Sequence, residues 1–190
     1  HGFLPSISGI SCSSGITDRC FFFVLVFFLA ILAIFYFNNV RGIITKNIDA
    51  EIAIVCGRNK KLFNHVSELK DNYNIRNLKI YGFVDFVHSL INISDVVITK
   101  CGASTFMEIL LMGKIPVINN YIWEQEKGNV EFVCKKEMGI LEKSTKRIPD
   151  VLHKLLTDIE YSNSIRNNIK RASICNGVGQ VSEYILKPDS

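Results

Sequence analysis

The sequence predicts an α/β domain, a Rossmann-like parallel sheet with helices on both faces, preceded by an apolar N-terminal segment. Three observations support this prediction. Short apolar segments alternate with longer ones in which apolar residues recur every three or four positions. The connections between them are short, as in sheets whose strands are joined by crossover helices. Charged residues are concentrated after Phe37, since the residues before it carry only Asp18 and Arg19 as charged side chains.

We place a domain boundary after residue 45. Residues 1–45 form the apolar segment, and residues 46–190 form a domain large enough to bury a core of its own. The net charge of +4 is mildly basic and is compatible with attraction to phosphates or to an anionic lipid surface. No block of lysine and arginine indicates a nucleic-acid interface, so no nucleic-acid partner is expected.

The cysteines and histidines do not form a pattern typical of a metal site or a catalytic site. The six cysteines are Cys12, Cys20, Cys56, Cys101, Cys134 and Cys175. They include no CxxC pair, which favours free thiols in a reducing compartment, and Cys56, Cys101 and Cys134 lie in contexts typical of buried thiols. The four histidines lack carboxylate companions, so we predict no catalytic base, no metal ligand and no cofactor.

An unbroken apolar run, FFFVLVFFLAILAIFYF, extends from Phe21 to Phe37. As a helix it would span about 26 Å, slightly less than a typical hydrocarbon core. We expect a membrane-spanning or membrane-embedded helix; the alternatives are a buried strand and helix of the folded domain, or the apolar core of a signal peptide. If the run spans a membrane, Arg41 and Lys46 against Arg19 indicate a membrane-associated protein whose folded domain faces the cytoplasm.

The pattern is regular from residue 51 onward. The predicted strands are Glu51–Cys56, Leu78–Tyr81, Val96–Thr99, Ile115–Ile118 and Gly139–Leu141. The predicted helices are Lys60–Asn72, Asp85–Ile93 (with Phe86, Val87, Leu90 and Ile91 inward), Ser104–Met112, Gly128–Lys136 and Ile148–Thr157, then one or two helices from Tyr161 to Leu186, broken near Gly177. Right-handed crossovers place the carboxyl ends of such strands at one edge of the sheet, where ligands bind.

The segment from Asp95 to Asn129 carries the strongest indication of a ligand site. A short strand is followed by the small residues Gly102, Ala103, Ser104 and Thr105, and Glu108 comes about one helical turn later. Amides at a helix N-terminus attract phosphate, and a carboxylate at this spacing suits a ribose diol. The alternative is an ordinary helix that Ser104 caps and on which Glu108 is solvated.

A polar loop before the next predicted helix adds to this indication. Gln125, Glu126 and Asn129 place amide and carboxylate groups just after the apolar sequence Tyr121-Ile122-Trp123. Such groups suit sugar hydroxyls, each of which both donates and accepts hydrogen bonds. The alternative is a solvated acidic loop.

Two further segments end strands at the same edge. After one strand, Gly82, Phe83 and Val84 would let a base lie against the Phe83 ring and pair with backbone groups. Phe83 in the core is the alternative. After another strand, Arg58 would face a phosphate or remain a surface cation.

Together these segments resemble a known family. CGRNKKL, KIYGFVDFVHSL and SDVVITKCGASTFMEILLMGKIPVINNYIWEQEKGNVEFV are similar to the C-terminal domain of monogalactosyldiacylglycerol synthases and bacterial processive diacylglycerol glucosyltransferases. These enzymes are related to the lipid-linked UDP-N-acetylglucosaminyltransferase of peptidoglycan synthesis and belong to the GT-B class. The resemblance covers roughly residues 50–187, with the motifs in order.

The resemblance implies that residues 46–190 are a UDP-sugar-binding domain of GT-B type. Gly82, Phe83 and Val84 would contact uracil, Gly102 to Thr105 the diphosphate, Glu108 the ribose, and Gln125, Glu126 and Asn129 the sugar or the adjacent phosphate. It further implies UDP-glucose or UDP-galactose as donor, with inversion at the anomeric carbon by a diacylglycerol or glycosylated-lipid hydroxyl at a membrane surface. UDP-sugar is then a substrate, and no cofactor is required.

Three departures from the family pattern affect the functional prediction. The glycine-rich turn after the domain's first strand is absent, with Phe21–Phe37 in its place, and Glu124 replaces a glycine. The acceptor-binding N-terminal half, with its general base, is not among these residues. We therefore predict a donor-binding half that an N-terminal acceptor domain or a partner subunit would complete. The alternatives are the donor subunit of a split UDP-N-acetylglucosaminyltransferase and a non-catalytic nucleotide-sugar binding module.

Overall fold

A computed structural model describes residues 23–27 and 50–186, which form a six-stranded parallel sheet with helices on both faces. The strands are β1 (Phe23–Phe27), β2 (Glu51–Val55), β3 (Leu78–Tyr81), β4 (Val96–Lys100), β5 (Ile115–Asn120) and β6 (Ile140–Leu141). Their order in the sheet is β3-β2-β1-β4-β5-β6. The strand order reverses direction between β1 and β4, as in Rossmann folds. The predicted fold class is confirmed.

β1 comes from the apolar run and lies in the middle of the sheet. Val24 pairs with Ile52 of β2 on one side and with Val96 of β4 on the other, and neither Val24 nor Leu25 is exposed. The prediction of a single helix over Phe21–Phe37 is therefore wrong at Phe23–Phe27, and the alternative of a buried strand is right there.

The remainder of the apolar run lies outside the described residues, as do the rest of residues 1–45 apart from β1. The domain boundary after residue 45 stays a prediction, although β1 on its N-terminal side belongs to the same sheet. Among the residues that the structure describes, no helix combines the length and apolar character needed to cross a membrane.

The helices largely follow the predicted segments. They are α1 (Lys60–Asn72), α2 (Val87–Ile93), α3 (Ala103–Leu111), α4 (Trp123–Lys135), α5 (Ile148–Thr157), α6 (Ile159–Arg171) and α7 (Val178–Leu186). The predicted break in the tail near Gly177 is confirmed. α2 begins two residues later than predicted, and Phe86 at its N-terminus is exposed rather than directed inward.

The start of α4 is the main correction to the predicted elements. The polar stretch from Trp123 to Lys127 is the beginning of the helix and not a loop, and Gly128 lies inside the helix. The physical reason is the Glu126 carboxylate, whose Oε2 accepts a hydrogen bond from the amide of Ile122, the residue that precedes the helix, at 2.8 Å. A side chain that reaches back in this way satisfies a backbone donor that the helix itself leaves unpaired.

The core consists of two apolar clusters, one on each face of the sheet. Ile52 and Ile54 of β2 belong to one cluster, and Ala53 and Val55 belong to the other, because side chains alternate along a strand. α3 contributes to both clusters, with Phe106 in the first and Ile109 in the second. α3 is thus packed against the sheet at the switch point.

Neighbouring strand ends are tied together at the carboxyl edge of the sheet. The Cys56 amide after β2 donates to the Tyr81 carbonyl of β3 at 2.7 Å. The Cys101 amide after β4 donates to the Asn120 carbonyl of β5 at 3.1 Å. These bonds continue the sheet past its last residues and bring the loops with the predicted site residues to one edge.

We predict that Gly139→Ala destabilises the protein. A Cβ at Gly139 would lie 2.6 Å from Pro116 Cγ, 2.7 Å from the Pro116 carbonyl oxygen and 2.9 Å from Val133 Cγ1. The backbone must shift to relieve these contacts, at a cost of about 1–3 kcal/mol. Urea unfolding of the two proteins measures the difference.

Gly128→Ala is the matched control. It places the same methyl group inside α4, where nothing lies within 4 Å of the new Cβ. Alanine is the better helix former, so this variant should gain about 0.5–1 kcal/mol. Equal unfolding midpoints for the two variants would contradict the close packing at Gly139.

Candidate nucleotide-sugar site

The turn between β4 and α3 presents free backbone amides at the carboxyl edge of the sheet. Gly102 is the N-cap of α3, and no side chain caps the helix. The first intrahelical bond is donated by the Phe106 amide to the Gly102 carbonyl at 3.0 Å, so the amides before it point out of the helix start. The alternative of a helix capped by Ser104 is wrong. An uncapped N-terminus at this place is suited to an anion.

Lys100 and Glu126 form an ion pair beside this turn. Lys100 Nζ lies 3.0 Å from Glu126 Oε1, and their side chains are 28% and 8% exposed. A Cβ at Gly102 would lie 3.4 Å from Lys100 Cε and 3.5 Å from Glu126 Oε1, so the pair packs directly against the turn. A buried carboxylate is stable only with such a partner, so Lys100 compensates the charge of Glu126. The same ammonium group lies 3.6 Å from the position that a Cβ at Gly102 would take, so it borders the start of α3.

Lys100 is a site residue that the motifs of the sequence do not indicate. Its position was the available signal. Lys100 is the last residue of a strand whose other four residues are all buried, so its long cationic side chain lies at the carboxyl edge of the sheet. The pairing with Glu126 depends on how α4 packs against β4, and sequence alone does not reveal it.

α4 is joined to the same turn at a second point. Asn129 Nδ2 donates to the Cys101 carbonyl at 3.1 Å. Gln125 lies one helical turn before Asn129 and therefore shares its face of the helix. The structure thus brings Gly102, Glu126 and Asn129 together, with Gln125 exposed next to them.

The residues predicted around the base form a separate group after β2 and β3. The guanidinium carbon of Arg58 lies 4.9 Å from the centroid of the Phe83 ring, and Phe83 is 66% exposed. The two loops are neighbours, since a Cβ at Gly82 would be in van der Waals contact with the Gly57 carbonyl oxygen at 3.8 Å. Phe83 is therefore a surface residue and not part of the core, while Arg58 contacts an aromatic face.

Glu108 lies on α3, and its side chain is exposed. It is within the first two turns of this helix, whose N-cap is Gly102. The strand β1 separates the Arg58–Phe83 group from the group around Lys100 in the sheet order. A ligand that contacted both groups would lie across the switch point, the place where Rossmann-type sheets bind nucleotides.

Burial keeps two thiols at this edge protonated. It raises the pKa of Cys56 to about 11. Burial raises the pKa of Cys101 to about 12, with further contributions from the negative charge of Glu126 and from Cys134. Both thiols are free and buried as predicted, whereas Cys134 is exposed, which corrects the prediction that it is buried. Cys12 and Cys20 lie outside the described residues.

Residues 37–181 match the glycosyltransferase family 28 C-terminal domain. The chain belongs to this family. The family 28 domain covers most of the chain and includes every predicted site residue. The fold is that of the corresponding half of GT-B glycosyltransferases.

Relatives of known name agree with the resemblance seen in the motifs. A probable monogalactosyldiacylglycerol synthase from Nicotiana tabacum is 33% identical over 102 residues, which are 54% of this chain and 18% of that protein. The processive diacylglycerol beta-glucosyltransferase of Bacillus subtilis is 28% identical over 144 residues, which are 76% of this chain and 37% of that protein. The chain thus spans less than half the length of either relative.

Solved structures agree on the fold. Acinetobacter baumannii MurG matches with a TM-score of 0.69 at 15% identity, over 90% of this chain and 51% of that chain. Anabaena HepE in complex with UDP-glucose matches with a TM-score of 0.64 at 14% identity, over 80% of this chain and 44% of that chain. The family 28 domain is therefore related to diacylglycerol glycosyltransferases and shares its fold with HepE, which was crystallised with UDP-glucose.

We predict that alkylation separates the cysteines of the native protein. At pH 8 a thiol with a pKa near 12 has about a thousandfold less thiolate than one with the ordinary pKa of 9, so Cys101 should resist iodoacetamide. Cys175 is exposed and should react. Peptide mass spectrometry after a timed reaction measures both sites.

The same reaction in concentrated urea is the control, since all cysteines should then be modified. Because the folded-state pKa values of Cys56 and Cys101 are raised, the protection should persist to alkaline pH and weaken as the pH approaches 11. Rapid modification of native Cys101 at pH 8 would show that this thiol is accessible to solvent and not buried beneath the turn.

Proposed function

We propose that this chain is the donor-binding half of a glycosyltransferase. It binds a UDP-hexose, and the hexose is transferred to a diacylglycerol-type lipid. The observation that carries the proposal is the position of Lys100. Its ammonium group packs against the glycine turn at the N-terminus of α3, next to the switch point of the sheet. Helix amides and a fixed cation together suit a diphosphate.

The diphosphate would lie on the amides of Ala103, Ser104 and Thr105. Lys100 is paired with Glu126, so the cation has a fixed position next to the turn. A bound diphosphate would place two negative charges next to the Lys100 ammonium and the N-terminus of α3. The ammonium and the helix dipole would both attract these charges. Ser104 and Thr105 add hydroxyl groups at the same turn.

The nucleoside would extend from this turn toward β3. Backbone groups of Gly82 to Val84 would pair with uracil, and the exposed Phe83 ring would lie against the base. Arg58 contacts the same ring through a cation–π interaction, which favours one orientation of the Phe83 side chain. The carboxylate of Glu108 would accept hydrogen bonds from the ribose hydroxyls.

The sugar would lie toward α4. Gln125 and Asn129 share one face of the helix, and Glu126 lies between them in sequence. Each Glu126 oxygen already accepts one hydrogen bond, from Lys100 or from the Ile122 amide. A carboxylate oxygen has a second lone pair, so Glu126 can still accept from a sugar hydroxyl while its position is fixed. Glu124 is exposed on the same helix, where the family has glycine.

In the proposed reaction a lipid hydroxyl attacks the anomeric carbon and the bond from that carbon to UDP breaks, with inversion. The negative charge that develops on the departing diphosphate would be stabilised by the α3 amides and by Lys100. The proton of the attacking hydroxyl goes to a base that we assign to none of the described residues. An acceptor domain or partner subunit would supply it at the membrane surface.

The names of the relatives support a lipid acceptor, as one is a monogalactosyldiacylglycerol synthase and the other a diacylglycerol glucosyltransferase. The same names are compatible with two donors, UDP-galactose and UDP-glucose. Because the chain spans 18% and 37% of these proteins, we expect it to bind donor more readily than it transfers sugar.

We predict that Lys100→Met weakens the binding of UDP but not of uridine. A charged hydrogen bond to phosphate is worth about 1.5–3 kcal/mol, so UDP affinity should fall by roughly ten- to a hundredfold. Lys100→Met also leaves the buried Glu126 carboxylate without its cation, so the two proteins are compared in a Glu126→Gln background. Uridine lacks phosphate and should bind both proteins equally. Isothermal titration calorimetry with each ligand measures the difference.

Lys114→Met is the matched control. Lys114 precedes β5 and therefore lies at the opposite edge of the sheet, so its loss should leave the affinity for both ligands unchanged. An equal loss of uridine and UDP affinity in Lys100→Met would indicate a damaged fold and not a lost phosphate contact.

We predict that Glu108→Ala weakens the binding of UDP by about tenfold through the loss of ribose contacts. The variant and the parent protein should bind 2′,3′-dideoxy-UDP with similar affinity, since that ligand lacks the hydroxyls. Glu68→Ala removes an exposed carboxylate from α1 and serves as the control. Unchanged UDP affinity in Glu108→Ala would refute the ribose assignment.

Transfer assays test the proposed function as a whole. The protein is incubated with diacylglycerol and UDP-glucose, UDP-galactose or UDP-N-acetylglucosamine, with and without a supplied acceptor half from a relative. Preference for UDP-N-acetylglucosamine would favour the split-enzyme alternative. UDP-sugar binding without transfer under any of these conditions would favour a binding module.

A further inference from the structure

An exposed group of aromatic, aliphatic and lysine side chains lies where β5 ends and α4 begins. Trp123 is 60% exposed and Ile122 is 47% exposed, while Tyr121 is half-buried next to them. Lys127 follows on α4, and Lys143 follows β6. We call these five residues the aromatic–lysine surface. None of them belongs to the donor site proposed above.

The rings and ammonium groups of this surface contact one another. The rings of Tyr121 and Trp123 are stacked, with centroids 5.9 Å apart and planes inclined by 28°. Lys143 Nζ lies 4.6 Å from the Tyr121 centroid and 5.9 Å from that of Trp123, and it donates to the Tyr121 hydroxyl at 3.2 Å. Lys127 Nζ lies 5.0 Å from the Trp123 centroid.

This arrangement disfavours a sugar as the ligand of the surface. A sugar ring binds by stacking on a free aromatic face. Here the face of Trp123 is shared with Tyr121 and with two ammonium groups. The exposed apolar area of Trp123 and Ile122 therefore remains without a partner in the described residues, bordered by cations.

We propose that the aromatic–lysine surface docks on an anionic lipid bilayer. Tryptophan and tyrosine concentrate at the level of lipid headgroups, because their rings are apolar and their polar atoms can face water. Lysine side chains extend from apolar surface toward charged headgroups. Ammonium groups next to exposed rings are complementary to a layer of acyl chains beneath anionic headgroups.

The charges around the surface agree with an anionic partner. Lys127 forms an ion pair with Glu131 at 3.5 Å, so that pair is neutral. Lys143 contacts rings and a hydroxyl, and Lys146, three residues later, is exposed. Glu124 is the exposed acid next to Trp123. Lys143 and Lys146 thus outnumber Glu124, in a chain whose net charge is +4.

The position of the surface gives the docking a consequence for the donor site. Trp123 is the first residue of α4, and Gln125, Glu126 and Asn129 follow within two turns of the same helix. A bilayer that contacted Trp123 would therefore lie at the end of the donor site where the sugar is proposed to bind. Lipid docking itself requires no donor, so it is tested independently of the proposed function.

The test uses the full 190-residue protein and its one tryptophan, Trp123. Vesicles of phosphatidylcholine with phosphatidylglycerol, some carrying acyl-chain bromines, are titrated into the protein. We expect a blue shift of the emission, quenching by the brominated lipid and protection from acrylamide. Vesicles of phosphatidylcholine alone should give a much smaller shift, and added salt should reduce the response to the anionic vesicles.

Lysine variants test the role of charge. Lys143→Gln should weaken the partitioning of Trp123 into anionic vesicles about fivefold, and Lys127→Gln with Lys143→Gln on the order of tenfold or more. The matched control is Phe132→Ala with Lys136→Gln, which removes another aromatic–lysine pair, at the C-terminal end of α4. Phe132 lies on the side of the helix opposite to Trp123. The control should leave the quenching unchanged.

A vesicle response that does not involve Trp123 would overturn the proposal. If the protein sediments with anionic vesicles while Trp123 stays unquenched by bromine and open to acrylamide, the lipid contact lies elsewhere in the chain. An emission spectrum unaffected by any vesicle would equally overturn it. Loss of quenching in the Phe132→Ala, Lys136→Gln control would overturn the assignment to this surface.

Discussion

A parallel sheet must be covered on both faces, and this constraint shapes the whole domain. The two central strands, β1 and β4, meet helices above and below, so their side chains have no route to water. Val24, Leu25, Val96 and Val97 are accordingly all fully buried. Polar chemistry is left to the strand ends, where the chain leaves the sheet and backbone groups become available. The candidate site lies at that edge because no other part of a doubly covered sheet offers both polar groups and access.

The Lys100–Glu126 pair connects the central strand to the start of α4 and so joins architecture to chemistry. The Glu126 carboxylate accepts from Lys100 with one oxygen and from the amide of Ile122, the residue before α4, with the other. Neither partner is isolated, although the carboxylate is nearly fully buried. In such an arrangement the orientation of the groups is established on folding, before a ligand binds, which is what preorganised electrostatic sites require.

The sequence predicted elements more reliably than contacts, and the particular residues show why. α5 and the break before α7 follow from apolar periodicity and a glycine. β1 was harder to predict, because an apolar run has the same composition whether it is surrounded by lipid or by two layers of helices. The start of α4 was not predicted, because polar residues without periodicity resemble a loop. The hydrogen bond from the Ile122 amide to Glu126, which stabilises the start of the helix, is not visible in the sequence pattern. Lys100 and the Arg58–Phe83 contact depend on tertiary packing, which local pattern does not encode.

The central place of β1 has a consequence for how the chain reaches its native state. β1 lies between β2 and β4 in the sheet order, so the two halves of the sheet meet through a strand from the far N-terminal part of the sequence. Val24 aligns with Val96, a separation of about seventy residues, and such distant pairings slow folding. Until that insertion occurs, an apolar segment and two unpaired strand edges stay open to other chains. Production of the protein therefore depends on kinetic competition between closing the sheet and aggregating, and a chain that began after residue 45 would lack the strand that closes it.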